Sequence, residues 1–86
     1  MVVIKKTDQQ ENFSYEKLAN SVRAANAETG EPLDVELLLM EFQNLVANND
    51  YVTTGQINVI VYGLLYAKNA LQTLKNYAEY KKQPQP

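Results

Sequence analysis

The stretch from Thr53 to Ala67 carries the pattern that most restricts how this chain can fold. Thr53 is followed three residues later by Gln56, the spacing of a capping box, in which each side chain satisfies a backbone N–H of the other at a helix start. Ile57, Ile60, Val61, Leu64 and Leu65 then fall at i, i+3, i+4, i+7 and i+8, an apolar stripe along one helix face. At about 1.5–3 kcal/mol per fully buried aliphatic side chain, the stripe contributes about 7–15 kcal/mol before conformational entropy is set against it. It demands cover from other elements and is expected to form the core helix. Gly63 costs this helix roughly 1 kcal/mol of propensity, which predicts the close approach of a neighbouring helix.

The cover must come from the rest of an 86-residue chain. A first helix is expected from Tyr15 to Glu28. Ser14 serves as its N-cap, Glu16 complements the dipole, and Tyr15, Leu18, Val22 and Ala25 share one face. Gly30 in a left-handed conformation and then Pro32 end it, and Lys17 and Arg23 lie on its polar side. A second helix starts near Asp34 with Glu36 in its first turn and carries Leu37, Leu38, Met40, Phe42, Leu45 and Val46. Consecutive leucines from Leu37 to Leu39 cannot all face one core, so this helix is central or covers a partner. Asn48-Asn49-Asp50 stops it, and Tyr51 and Val52 read as a short linker to the capping threonine, either Thr53 or Thr54.

Near Lys68-Asn69 the pattern either breaks, giving a fourth helix with Ala70, Leu71, Leu74, Tyr77 and Ala78, or bends one long helix. Lys75, Lys81 and Lys82 near its C-terminus complement the dipole, and the polar tail from Gln83 to Pro86 is expected to be disordered. Neither an internal repeat nor a second domain is apparent, so residues 1–82 are expected to form one domain.

Ahead of the helices, Val2, Val3 and Ile4 are β-branched, Thr7 to Gln10 supply a turn, and Phe13 resumes an apolar position before Ser14. The fold class is therefore α+β, a small N-terminal β-hairpin packed on a cluster of about four α-helices. That arrangement is expected to gather Lys5, Lys6, Glu11 and Lys17 near the N-terminus of the first helix, a place to hold an anion.

Composition removes whole classes of chemistry. There is no cysteine and no histidine, which excludes disulfides, thiolate metal sites and cysteine catalysis and takes away the commonest metal ligand and general base. No acid/base pair is placed by a recognisable motif, so an enzyme is not expected. A net charge of -2 argues against sequence-independent DNA binding. No apolar run approaches the length of a membrane span, and no secretory signal is evident at the start. The absence of cysteine fits a cytoplasmic protein.

Val3-Ile4-Lys5-Lys6, then Glu11, Phe13 and Lys17-Leu18, resembles the opening of the ATP-cone, the nucleotide-sensing module of ribonucleotide reductases and of the repressor of their genes. Its members typically read V-x-K-R-x-G, polar residues, an apolar residue and K-[IL]. The resemblance continues through Thr54, Ile57 and Asn58, similar to the capped start of the family's third helix. It reaches Tyr77, Tyr80 and Lys81, similar to its closing tyrosine and basic pattern.

The resemblance implies a regulatory domain that binds ATP or dATP, with magnesium and without a redox cofactor. Its implied protein partner is a second copy or a reductase subunit, whose association it would control. By the same resemblance Lys5, Lys6 and Lys82 contact the triphosphate, Glu11 and Ser14 lie near the adenine, and Thr54 and Asn58 lie near ribose and phosphate. Lys17 matches the lysine of the first helix. A repressor role is disfavoured because that architecture adds a cysteine zinc site.

The chain departs from the pattern at Lys6, which replaces an arginine and loses its bidentate fork, and at Asn58, where some members are more basic. It departs again at Asp8, where the hairpin glycine is usual; this predicts a different turn and a carboxylate opposing the phosphates. The competing expectation is a cone that has lost its nucleotide and serves as a helical protein-interaction domain.

Overall fold

In the computed structural model, the described residues are 1–5 and 7–82, the side chains of Lys81 and Lys82 excepted. The expected tail and Lys6 lie outside them. The chain forms β1 (Val2–Ile4), β2 (Gln10–Asn12), α1 (Tyr15–Asn26), α2 (Val35–Val46), β3 (Tyr51–Thr53), α3 (Thr54–Ala67) and α4 (Leu71–Lys82). The α+β architecture of a hairpin on four helices is as expected, with one addition. The segment read as a linker is a third strand, so the sheet has the order β2-β1-β3. β1 pairs antiparallel with β2 (Val3 opposite Glu11) and parallel with β3 (Val3 beside Val52, Ile4 beside Thr53). Val3 and Val52 point to the buried face, which fastens the sheet to the helices.

Local chemistry sets most helix ends. The Asp34 carboxylate accepts from the N–H of Leu37 at 3.1 Å, capping α2. At the far end of α3, Asn69 takes a left-handed φ of 60°. There the N–H of Asn69 donates to Tyr66 O (3.0 Å) and that of Ala70 to Leu65 O (2.9 Å). This is a Schellman closure, so the interruption at Lys68-Asn69 separates two helices. α1 stops at Asn26, two residues short of the expected end, because the Asn26 side chain turns into the following loop and donates to Glu31 O at 3.1 Å. Gly30 is left-handed as expected, but within that loop.

Leu18, Val22, Ala25, Leu38, Phe42, Val46, Val61, Leu65, Ala70 and Tyr77 form the core. The α3 stripe is only partly interior: Val61 and Leu65 are fully buried, while Ile57, Ile60 and Leu64 are half-buried against the core. A domain this small covers the midline of a helix face and leaves its margins wet. The leucine run divides the same way, with Leu38 buried, Leu39 half-buried and Leu37 exposed. Gly63 is exposed, and a Cβ there would meet nothing within 4 Å, so the expected close approach of a helix at that position does not occur.

α4 has no capping side chain of its own. Glu31, from the loop between α1 and α2, supplies one: its carboxylate accepts from the N–H groups of Gln72 (3.0 Å) and Thr73 (2.7 Å) and from the Thr73 hydroxyl (2.8 Å). Asn26 Nδ2 donates to Thr73 Oγ1 from the other side at 3.0 Å, so α1, the loop and α4 share one polar joint. These bonds to the charged form, with that from Gln72 foremost, hold the Glu31 carboxyl below its ordinary value.

Candidate functional site

The sheet register decides which of the sequence-derived residues come together. Ile4 pairs with Thr53 in parallel, so Lys5 and Thr54, the next residue on each chain segment, leave the sheet at the same edge. There the strand β3 runs directly into α3. Thr53 Oγ1 accepts from the N–H of Gln56 (3.1 Å) and Gln56 Oε1 accepts from that of Thr53 (2.9 Å), completing the capping box. The resemblance put the capping role at Thr54; the cap is Thr53, and Thr54 is the first helical residue, half-buried. The box makes no use of the N–H groups of Thr54 and Gly55, which point out of the positive end of the helix.

Lys5 stands at the tip of the hairpin. Its N–H donates to Gln9 O (2.9 Å), and its carbonyl accepts from the N–H of Asp8 (2.9 Å) to close the turn. Asp8 has a φ of 63°. Aspartate tolerates this left-handed conformation better than most residues, so it can stand where glycine would adopt it without cost. Lys5 Nζ lies 3.2 Å from Glu11 Oε2, and both side chains are a little under half exposed, so the pair organises the hairpin more than it stabilises the domain.

Ser14 and Lys17 belong to the other end of the ladder. Phe13 N–H donates to Met1 O at 3.0 Å, and the Ser14 hydroxyl accepts from the N–H of Lys17 at 3.2 Å as the N-cap of α1. Lys5 and the α1 N-terminus are therefore separated by the length of the hairpin, about 10 Å along the strands. This corrects the expectation that one helix N-terminus gathers Lys5, Glu11 and Lys17; the terminus beside Lys5 is that of α3.

Asn58 lies one helical turn beyond Thr54 and shares its face. It is half-buried, and its Oδ1 accepts from the hydroxyl of Tyr77 on α4 at 3.3 Å. Lys82 is the last residue of α4, with its side chain outside the described set, and Lys6 lies outside it altogether. The link between Asn58 and Tyr77 was missed in the sequence, where Tyr77 reads as an apolar residue of the fourth helix and as part of the closing tyrosine pattern.

Surface shape gives a different emphasis from charge. A shallow groove of about 540 Å³ between α1 and α4, bordered by Asn20, Ser21, Ala24, Asn76 and Tyr80, contains none of these residues. Another, of about 520 Å³, opens over Val52, Thr53, Gly55 and Gln56 at the start of α3. Charge and register point instead to the edge at Lys5 and Thr54, where an ammonium group and backbone donors suit an anion. Among the described residues, no group of three or more acidic residues could hold a metal ion, and no helix is long and apolar enough to cross a membrane.

The family model of the ATP cone domain matches residues 1–85, essentially the whole chain. A direct comparison with curated proteins gives no match.

Proposed function

The chain belongs to the ATP-cone family, and from that premise we propose that it senses ATP and dATP through the edge formed by Lys5, Glu11, Thr54 and Asn58. ATP cones are nucleotide-sensing regulatory domains. The finer role proposed for this one is control of subunit association in a cytoplasmic ribonucleotide reductase or a related protein, with a second copy or a reductase subunit as partner. That role rests on the family resemblance.

The observation that carries the nucleotide reading is the parallel register of β1 and β3, which sets a lysine beside the N-terminus of α3. An ammonium group and backbone donors together suit a phosphate. The separation of Lys5 from Ser14 suits an elongated ligand, with phosphates toward Lys5 and adenine toward Ser14 and the first turn at Lys17; the assignment of Lys6 and Lys82 to the phosphates and of Glu11 to the adenine rests on the resemblance alone. Lys5 then exchanges its Glu11 partner for phosphate, and magnesium enters on the triphosphate.

Isothermal calorimetry with ATP and dATP in magnesium tests the reading. Binding in the micromolar range is expected, weaker for the monophosphate. Lys5→Ala is expected to cost about 1.5–3 kcal/mol, or about ten- to a hundredfold in Kd. No heat and no shift in Tm at millimolar nucleotide overturns the sensor reading in favour of a cone that binds protein alone.

A further inference from the structure

We propose that two copies of this chain pair through the outer face of α3, antiparallel and about a two-fold axis at Gly63. The pairing gives the second copy of the proposed function a surface, and its regulatory purpose rests on that reading; the contact itself needs no nucleotide.

Tyr66 is 72 % exposed and Val59 is 66 % exposed, and no other large apolar side chain among the described residues is more so. Both stand on α3. At 3.6 residues per turn, Gly55, Val59, Gly63 and Tyr66 share one side of this helix, away from the buried Val61 and Leu65. From Thr54 to Ala67 the helix carries no charged residue. A solvent-facing helix side is ordinarily charged, and one that offers valine and tyrosine instead is the mark of a contact surface.

Gly63 lies between these two side chains. It is helical, and a Cβ there would meet nothing within 4 Å, so neither backbone conformation nor packing inside the domain calls for glycine, although glycine weakens the helix. A helix crossing from outside the domain would use the space, because two backbones approach more closely where a side chain is missing.

Self-complementarity selects a second copy as the occupant. The groove of about 520 Å³ bounded in part by Gly55, Val59 and Ile60 lies on the N-terminal side of Gly63, and Tyr66 stands on its C-terminal side. Residue 63 is midway between residues 60 and 66. A two-fold axis there carries each Tyr66 onto the partner's Ile60 and into its groove, while the two glycines meet at the crossing. Identical faces without charge do not repel one another, and antiparallel helices place each positive end toward the other's negative end. A strip along one helix of 14 residues, about 20 Å long and 10 Å wide, buries on the order of 800 Å² from the two copies together, below the roughly 1,200 Å² of stable complexes. The dimer is therefore weak, with a Kd of about 0.1–1 mM.

Sedimentation equilibrium of the full chain from about 0.02 to 2 mM, without nucleotide, tests the contact. Wild type is expected to move from monomer toward dimer across this range. Val59→Glu, at an exposed position, is expected to keep the wild-type Tm and weaken association more than about tenfold, while Leu45→Glu on the exposed side of α2 leaves it unchanged. A monomer at every concentration overturns the proposal, and so does a Leu45→Glu variant that weakens association as much as Val59→Glu or more.

The chain has no cysteine, so single-cysteine variants report the axis directly. Gly63→Cys, oxidised with copper phenanthroline, is expected to give a disulfide-linked dimer, because only residues near a two-fold axis come within disulfide reach of their own copies. Lys75→Cys, exposed on α4, is expected to stay monomeric. Equal cross-linking of the two, or none at Gly63→Cys, overturns the proposal. ATP calorimetry on wild type reports the nucleotide reading separately: heat without a dimer overturns the contact alone, and a dimer without heat supports the contact while removing its regulatory purpose.

Discussion

Replacing Phe42 by alanine is expected to lower the unfolding free energy by about 3–5 kcal/mol. Phe42 is fully shielded from solvent, so truncation forfeits the whole transfer free energy of the ring and leaves a cavity. A domain of 86 residues has about 4–13 kcal/mol in total, so the loss takes a large share of it. Part of the effect is specific to one partner. The Phe42 ring stacks on Phe13, with centroids 5.4 Å apart and planes within 11°, and Phe13 joins β2 to α1. The pair therefore fastens the hairpin that carries Lys5 and Glu11 to α2. A double-mutant cycle with Phe13→Leu should return a coupling of about 0.5–1.5 kcal/mol. With no tryptophan in the chain, urea unfolding is best followed by far-UV circular dichroism. A loss below about 1.5 kcal/mol for Phe42→Ala would refute its central place in the core. A coupling of zero would refute the hairpin attachment alone.

Acid titration tests the joint at Glu31. Its folded pKa is depressed, so its contribution is present above the unfolded value of 4.5 and lost as pH falls through the folded value. As pH falls below 4.5 the urea midpoint of wild type should therefore fall more steeply than that of Glu31→Gln, and parallel curves would count against the joint. Gly63→Ala should stabilise by about 0.5–1 kcal/mol, because helix propensity improves and the added methyl meets nothing; a loss would reveal a close neighbour. Leu65→Ala should cost about 2–5 kcal/mol and Leu64→Ala about 1–2.5, in proportion to their burial, and the reverse order would mean the α3 face is misassigned.

Much of the fold was legible because its determinants are local. Ser14, Asp34 and the Thr53/Gln56 box act within a few residues of themselves, and the apolar spacing of Val22, Phe42, Val61 and Leu65 names most of the core. β3 was not legible as a strand, since three residues carry no periodicity and their meaning comes from pairing with β1. The start of α4 was equally obscure, because its cap is a carboxylate 41 residues away. At the candidate site, the lysines, threonine and asparagine were named by the resemblance. Which of them share an edge depended on strand register, and so Lys5 was first assigned to the N-terminus of α1, where Lys17 does lie, rather than to that of α3.

Asp8 exposes a deeper limit of reading backbone geometry from residue type. Glycine is favoured in a tight hairpin because it adopts positive φ without steric cost, so its replacement suggests a different turn. Aspartate instead adopts a φ of 63° and the turn closes through Lys5 O. The cost of a left-handed non-glycine residue, about 1 kcal/mol or less for aspartate, is offset in part by the smaller entropy that aspartate loses on folding. What the substitution changes is therefore charge. A carboxylate now stands two residues before the strand that carries Glu11, at the tip that presents Lys5. Under the proposed function, the electrostatic balance of that tip is what the aspartate alters, and phosphate affinity is the property on which the alteration bears.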